Sequence, residues 1–328
     1  MIERIVIIDN VDPVSFYGVN NCNMQLIRNL FPKLRMAARG SVIKVIGDEH
    51  ETAEFEKCIK ELVDYCIKYN KLTEEVILDI VKGKSPETPR NDNVIIYGIN
   101  GKPISPRNEN QALMVKSVRE NDLTFALGPA GTGKTYIAIA LAVRALKNRE
   151  VRKIILSRPA VEAGEKLGFL PGDMKDKIDP YLQPLYDALE DMIPAVKLKE
   201  YMETNVIQIA PLAFMRGRTL NDAVIVLDEA QNTTVQQIKM FLTRLGMNAK
   251  MIITGDATQI DLPRSVTSGL IQALKVLKDV PGIGRIEFAK KDIVRHALVQ
   301  RIVDAYNHFD KEQEAETAAA HSAEDVEV

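Results

Sequence analysis

Leu123-Thr-Phe-Ala-Leu-Gly-Pro-Ala-Gly-Thr-Gly-Lys-Thr135 is the stretch from which the rest of the chain can be read. Residues 123–127 are short and mostly apolar, as a buried strand is, and a helix is expected to start near Tyr136. Between the two, Gly128 to Thr135 fits the pattern G-x-x-x-x-G-K-[ST]. Gly128, Gly131 and Gly133 permit positive φ and close backbone approach, so successive loop amides can point into a concavity of phosphate size. The helix N-terminus adds partial positive charge. Lys134 is placed to reach the β- and γ-oxygens of a nucleotide as a mobile cation, and the Thr135 hydroxyl to ligate Mg²⁺. The expected ATP site is therefore the whole run Gly128, Pro129, Ala130, Gly131, Thr132, Gly133, Lys134 and Thr135.

Downstream, strand-like and helix-like segments alternate. Apolar strands are expected at 153–157, 206–210, 223–227 and 250–254, with helices between them, which argues for a parallel sheet covered on both faces. The strand Ala223-Val-Ile-Val-Leu227 runs into Asp228 and Glu229. In a parallel sheet those acids sit at the carboxyl edge, beside the phosphate loop. There Asp228 can hold a Mg²⁺-bound water, while Glu229 can orient and deprotonate the attacking water. Met251-Ile-Ile-Thr-Gly-Asp256, followed by Gln259, should deliver an amide and a carboxylate to the same edge, with Gln259 as candidate γ-phosphate sensor. Gln111, just upstream of the first core strand, could read the adenine edge or simply start a helix.

Upstream of the loop the signals differ. Residues 2–9 read as a strand, 22–31 as a short helix, 41–46 as a strand and 51–69 as a helix, together a small α/β unit. Residues 73–81 form a short amphipathic helix, and the polar, Pro-punctuated run 83–92 is a linker. A strand at 93–97 and an Asn100-Gly101 turn follow. The expected domains are thus 1–82, a linker 83–92, an ATPase domain 93–309 and a tail 310–328. That tail holds seven acids against one lysine, net −6, and its composition is that of a disordered segment. The chain as a whole is −2, so the remainder is +4, mildly basic.

The 328 residues, 46% apolar and 27% charged, show no long apolar run, and the N-terminus lacks a basic region followed by an apolar stretch. The expectation is a cytoplasmic protein with no membrane span. Cys22, Cys58 and Cys66 have no metal-ligand spacing. Cys58 and Cys66 share an apolar stripe with Phe55, Ile59, Leu62 and Val63, which points to core packing.

Taken together these residues resemble the PhoH family of ATPases. The resemblance rests on Pro106-Arg-Asn-Glu-Asn-Gln111, the phosphate loop, Ser157-Arg-Pro-Ala-Val-Glu-Ala-Gly-Glu-Lys-Leu-Gly-Phe-Leu-Pro-Gly-Asp173, Ala210-Pro-Leu-Ala-Phe-Met-Arg-Gly-Arg-Thr-Leu-Asn-Asp222, Asp228-Glu-Ala-Gln-Asn232 and Thr254-Gly-Asp-Ala-Thr-Gln-Ile-Asp-Leu-Pro-Arg264. It spans about residues 93–306. It implies an α/β, RecA-like P-loop NTPase sheet similar to the first motor domain of superfamily 1 helicases, preceded by a small KH-like α/β domain. The Gly-x-x-Gly loop with which KH modules clamp nucleotides is missing from the first seventy residues. The resemblance further implies work in RNA metabolism, with the endoribonuclease YbeY as a partner.

Arg158 and Lys166, in the segment after the second core strand, could grip RNA phosphates, and Arg216 and Arg218 are a second such pair. A packing role against a neighbouring subunit is the alternative for this segment. Superfamily 1 motors complete their ATP site with arginines from a second motor domain, and this chain has room for one. A homo-oligomer, a hexameric ring with Arg295 acting in trans, is therefore expected, with Arg264 and Arg285 as reserves. Two functions compete: an RNA-stimulated ATPase or helicase-like motor, and an ATP-gated scaffold that docks a ribonuclease or ribosome-associated partner. A GTPase is disfavoured because Asn-Lys-x-Asp is absent. A small-molecule kinase fits less well because Glu229 beside Asp228 suits a water nucleophile.

Overall fold

Six strands build the central sheet: β6 (Leu123–Leu127), β7 (Lys153–Arg158), β8 (Ile207–Pro211), β9 (Ala223–Leu227), β10 (Lys250–Gly255) and β11 (Ile283–Glu287). Their order is β11-β6-β10-β9-β7-β8 and every pairing is parallel. The computed structural model describes residues 1–8, 10–86, 93–159, 174–263, 265–294, 298, 299, 301, 302, 305 and 306.

Strand alternation explains why this sheet has helices on both faces. On β9, Val224 and Val226 join the cluster formed by α5 (Glu109–Glu120), α6 (Lys134–Lys147), α7 (Met174–Glu190) and α8 (Ala195–Glu203). Ala223, Ile225 and Leu227 point the other way, against α9 (Val235–Leu242) and α10 (Gly269–Val276). All five β9 residues are buried, and each Val, Ile or Leu contributes roughly 1.5–3 kcal/mol by leaving water. A run apolar at every position, as in Ala223 to Leu227, is what a strand covered on both faces requires. The architecture is that of a RecA-like P-loop NTPase: the loop strand β6 and the acid strand β9 are separated by one strand, β10.

The first eighty residues form a second layer pair. β1 (Ile2–Ile7), β3 (Val42–Gly47) and β2 (Arg35–Arg39) make an antiparallel sheet in the order β1-β3-β2. Behind it lie α1 (Pro13–Tyr17), α2 (Cys22–Leu30), α3 (Glu49–Tyr69) and α4 (Glu74–Val81), burying Phe16, Ile27, Phe55, Ile59, Leu62 and Ile77 in one core. Cys58 and Cys66 are free and buried in it, and burial pushes both thiols up to about 12, so neither is a reactive thiolate. Asn70 ends α3 in the left-handed conformation, and its Nδ2 donates to the carbonyls of Tyr97, Gly98 and Met192, tying this layer to the remainder of the chain.

Two strands were not anticipated. β2, Arg-Met-Ala-Ala-Arg, lacks β-branched residues, and pairs because it is an edge protected by outward arginines. β11, Ile-Gly-Arg-Ile-Glu, is the other sheet's edge. A side chain at its Gly284 would lie 2.0 Å from Ser117 Oγ of α5, so this glycine marks close helix approach rather than a turn. The strand expected at 93–97 is two residues, β4 (Ile96–Tyr97), paired with β5 (Pro103–Ile104) across the turn with positive φ at Asn100 and Gly101. The expected tail, 310–328, and linker residues 87–92 lie outside the described residues.

Candidate nucleotide site

The carboxyl ends of β6, β10, β9 and β7 open into one cavity of about 490 Å³, lined by Lys134, Thr135, Arg158, Asp228, Glu229, Asp256 and Gln259 among others. The phosphate loop is its floor. Gly128 has φ 140°, and a Cβ there would sit 2.4 Å from the Phe288 carbonyl oxygen, so only glycine fits. Its N–H donates to the Gly255 carbonyl at 3.1 Å, which couples the loop to the end of β10. Gly133, φ 78°, precedes α6, which starts at Lys134, two residues earlier than the Tyr136 expected from sequence.

Lys134 is folded over its own loop: Nζ donates to the carbonyls of Gly128 (2.6 Å) and Pro129 (2.8 Å). Burial pulls this amine below the ordinary lysine range, with Asp256, Asp228 and Glu229 acting in the opposite sense. A phosphate oxygen arriving here would replace two carbonyls with a stronger, charge-assisted acceptor.

Asp228 is fixed from two sides. Thr135 Oγ1 donates to its Oδ1 at 2.7 Å, and Thr254 Oγ1, from the strand between, donates to the same oxygen at 2.6 Å. Glu229 follows with φ 52° and ψ 40°, a left-handed conformation that costs a non-glycine residue roughly 1–3 kcal/mol. Its side chain is held by Arg158 Nη2 (3.0 Å, to Oε1) and Gln231 Nε2 (2.5 Å, to Oε2). Gln231, 1% exposed, also donates to the Gln259 carbonyl and accepts from the Asp256 amide, so one amide ties the acid pair to the segment carrying Gln259.

Gln111 is 3% exposed and braces the loop. Its Nε2 donates to the Thr132 carbonyl (2.9 Å) and its Oε1 accepts from the Arg107 amide (2.8 Å). It borders a second cavity of about 310 Å³, walled by Ile104, Arg107, Tyr136 and Val294, next to the loop. Of the basic residues expected near nucleic acid, Arg158 lies at the cavity, whereas Arg218 bonds Gln208 Oε1 and Arg216 is exposed, just past the short 3₁₀ turn that follows β8, and does not line the cavity. Arg285 pairs with Glu287 on β11 and does not line the cavity. Lys166, Arg264 and Arg295 lie outside the described residues.

A family model described as PhoH-like protein matches residues 103–307. This chain belongs to the PhoH-like protein family. It is 47% identical to the PhoH-like protein of Bacillus subtilis (strain 168), over 90% of this chain and 94% of that one. The PhoH-like protein of Mycobacterium leprae (strain TN) is 48% identical, over 94% and 90%. Protein PhoH of Escherichia coli (strain K12) is 47% identical, over 62% and 58%. Among solved structures, a Sulfolobus solfataricus SWI2/SNF2 ATPase core in complex with dsDNA matches at 19% identity, covering 56% of this chain and 46% of that one, with a TM-score of 0.34. A likeness so slight carries no functional argument. Family and phosphate loop together make this PhoH-like chain a P-loop nucleotide-hydrolysing protein, and among the described residues no helix is long and apolar enough to cross a membrane.

Gln231 and Thr254 were missed from sequence. Neither belongs to the loop pattern or to the acid pair, and each acts only because β10 lies between β6 and β9, which spacing along the chain does not reveal.

Proposed function

We propose that this PhoH-like protein hydrolyses ATP with Mg²⁺ and that single-stranded RNA stimulates it. The observation that carries the reading is the meeting of Thr135, Thr254 and Asp228 through one carboxylate oxygen, with Lys134 and Glu229 on the same cavity wall. The donor set suits a hard cation: a hydroxyl and a carboxylate, with a third oxygen, Asp256 Oδ2, buried on that wall without a hydrogen-bond partner. Among the described residues no cluster of three His, Cys, Asp or Glu could hold a metal by itself. That agrees with Mg²⁺ held by one or two protein oxygens plus phosphate and water. Thr135 and Asp228 would hold it, and when bound it neutralises charge on the β- and γ-oxygens.

In this reading Lys134 leaves its carbonyls for the phosphates, and Glu229 takes the proton of the attacking water. Gln259, tied to Glu229 through Gln231, senses the γ-phosphate. The base occupies the 310 Å³ cavity beside Tyr136, with Gln111 at its border. Residues 1–82 act as a KH-like domain, a reading supported by their separate core and three-stranded antiparallel sheet. Arg158 and Lys166 face RNA. The protein works in the cytoplasm as a homo-oligomer, a hexamer in which Arg295 completes a neighbour's site, and YbeY is a partner. The test is turnover of ATP and GTP with and without single-stranded RNA. Hydrolysis of ATP in preference to GTP, raised by RNA, supports the reading; absence of ATP turnover contradicts it.

A further inference from the structure

Arg158 belongs to two cavities at once. It lines the nucleotide cavity, and it also lines a neighbouring one of about 540 Å³ whose further walls include Tyr181, Asn232, Thr258 and Asp261. Glu229 and Gln259 are common to both. At this shared wall the guanidinium is engaged three ways. Nη1 donates to the Tyr181 carbonyl at 2.8 Å, Nη2 donates to Glu229 Oε1 at 3.0 Å, and Nε lies 3.8 Å from Asp228 Oδ2. Gln231 takes the other Glu229 oxygen. Both oxygens of the carboxylate assigned as general base therefore each accept a hydrogen bond, one from a cation and one from an amide. A base has to present a lone pair to the water it deprotonates. With a cation and an amide each taking one lone pair of its two oxygens, and its backbone left-handed, Glu229 is anchored to Arg158 and Gln231 and is not free to turn towards an attacking water.

We infer that Arg158 is a brake on Glu229, released when a phosphodiester of single-stranded RNA enters the 540 Å³ cavity and takes the guanidinium; this rests on the RNA-stimulated ATPase reading above. The charges of the cavity decide the class of ligand. Among its described lining residues Arg158 is the one cation. Asp261, its acid besides Glu229, is bonded to Asn232, whose Nδ2 donates to Asp261 Oδ2 at 2.9 Å. A neutral or cationic ligand has no means of drawing Arg158 from a carboxylate. An anion competes for it directly, and a phosphodiester offers two oxygens to the guanidinium fork. Its negative charge also repels Glu229 towards the nucleotide side. Tyr181 favours a nucleic acid over an acidic peptide, because an aromatic ring gives a base a surface on which to stack. The exchange is sterically undemanding: the Arg158 side chain is 21% exposed and that of Glu229 35%.

The test compares full-length wild type, Arg158→Ala and Arg158→Lys for ATP turnover, without additive, with poly(U) and with polyglutamate. ATP affinity is measured in parallel by a fluorescent analogue. The brake predicts that Arg158→Ala raises RNA-free kcat about tenfold, the worth of one charged hydrogen bond, at unchanged ATP affinity. Poly(U) then adds nothing further, and Arg158→Lys falls between. A lowered RNA-free kcat in Arg158→Ala overturns the inference, because the arginine would then aid the reaction itself. Full poly(U) stimulation of Arg158→Ala also overturns it, and stimulation of wild type by polyglutamate equal to that by poly(U) overturns the choice of RNA. A wild type that hydrolyses ATP without responding to RNA defeats the RNA-stimulated reading and, with it, release of the brake by RNA. The RNA-free comparison still reports the brake in that case.

Discussion

Asp228 receives two hydroxyl hydrogen bonds on one oxygen, and the strand that supplies the second is neither the loop strand nor its own. Thr254 thus joins β10 to a carboxylate at the end of β9, and Thr254→Val, which keeps the shape, deletes one charge-assisted bond. The expected outcome is a loss of about tenfold in kcat with the fold retained, measured by steady-state turnover and circular dichroism. Lys134→Ala removes a cation placed to leave two backbone carbonyls for phosphate, so ATP binding and turnover fall together in calorimetry and kinetics. At this scale the loop, Asp228 and Glu229 were legible, because a glycine pattern between strand and helix and an acid pair after an apolar strand each state their surroundings. Gln231 was not: its three bonds, to Glu229, the Gln259 carbonyl and the Asp256 amide, exist only once two sheet ends lie side by side. Gln231→Leu leaves the buried Asp256 amide unpaired, a cost of about 1–3 kcal/mol readable in chemical denaturation.

At the scale of elements, α6 connects the site to the N-terminal layers. It begins at Lys134 and ends at Lys147, which lines a cavity of about 130 Å³ together with Asp12, Cys66 and Asn70 of the N-terminal layers. Among the described residues Lys147 Nζ reaches the Tyr97 carbonyl alone, at 3.5 Å, and burial lowers this amine to about 8. The ordinary value is 10.5. Below about pH 8 both folded and unfolded chains carry the proton. Between pH 8 and 10.5 the unfolded chain holds it and the folded one does not, so stability rises with pH across that window. Lys147→Met is expected to stabilise the fold by about 1–3 kcal/mol at pH 7 and to flatten that rise, as followed by thermal melts across the pH series. The paired strands β7, β9 and β10 were legible from their apolar runs. β2 and β11 were not, since an edge strand needs little burial and can be built from Arg, Ala and Gly.

For the molecule as a whole, the parallel sheet follows from the alternation of strand and helix, and its strand order brings loop, acids and Gln259 to one edge. The order itself was hidden, because nothing in the spacing of β6, β9 and β10 says which of them lies in the middle. Oligomerisation belongs to this scale too. If a neighbour's Arg295 completes each site, mixing Arg295→Ala chains with Lys134→Ala chains restores turnover at mixed interfaces, whereas a fully active monomer in light scattering excludes it. If the cavity at the carboxyl edge hydrolyses ATP with Glu229 as its base, single-turnover hydrolysis by wild type and Glu229→Gln at saturating ATP and Mg²⁺ separates binding from cleavage. Glu229→Gln is then expected to bind ATP as wild type does and to cleave it about 10²–10⁴-fold more slowly; cleavage at the wild-type rate would rule out Glu229 as the base.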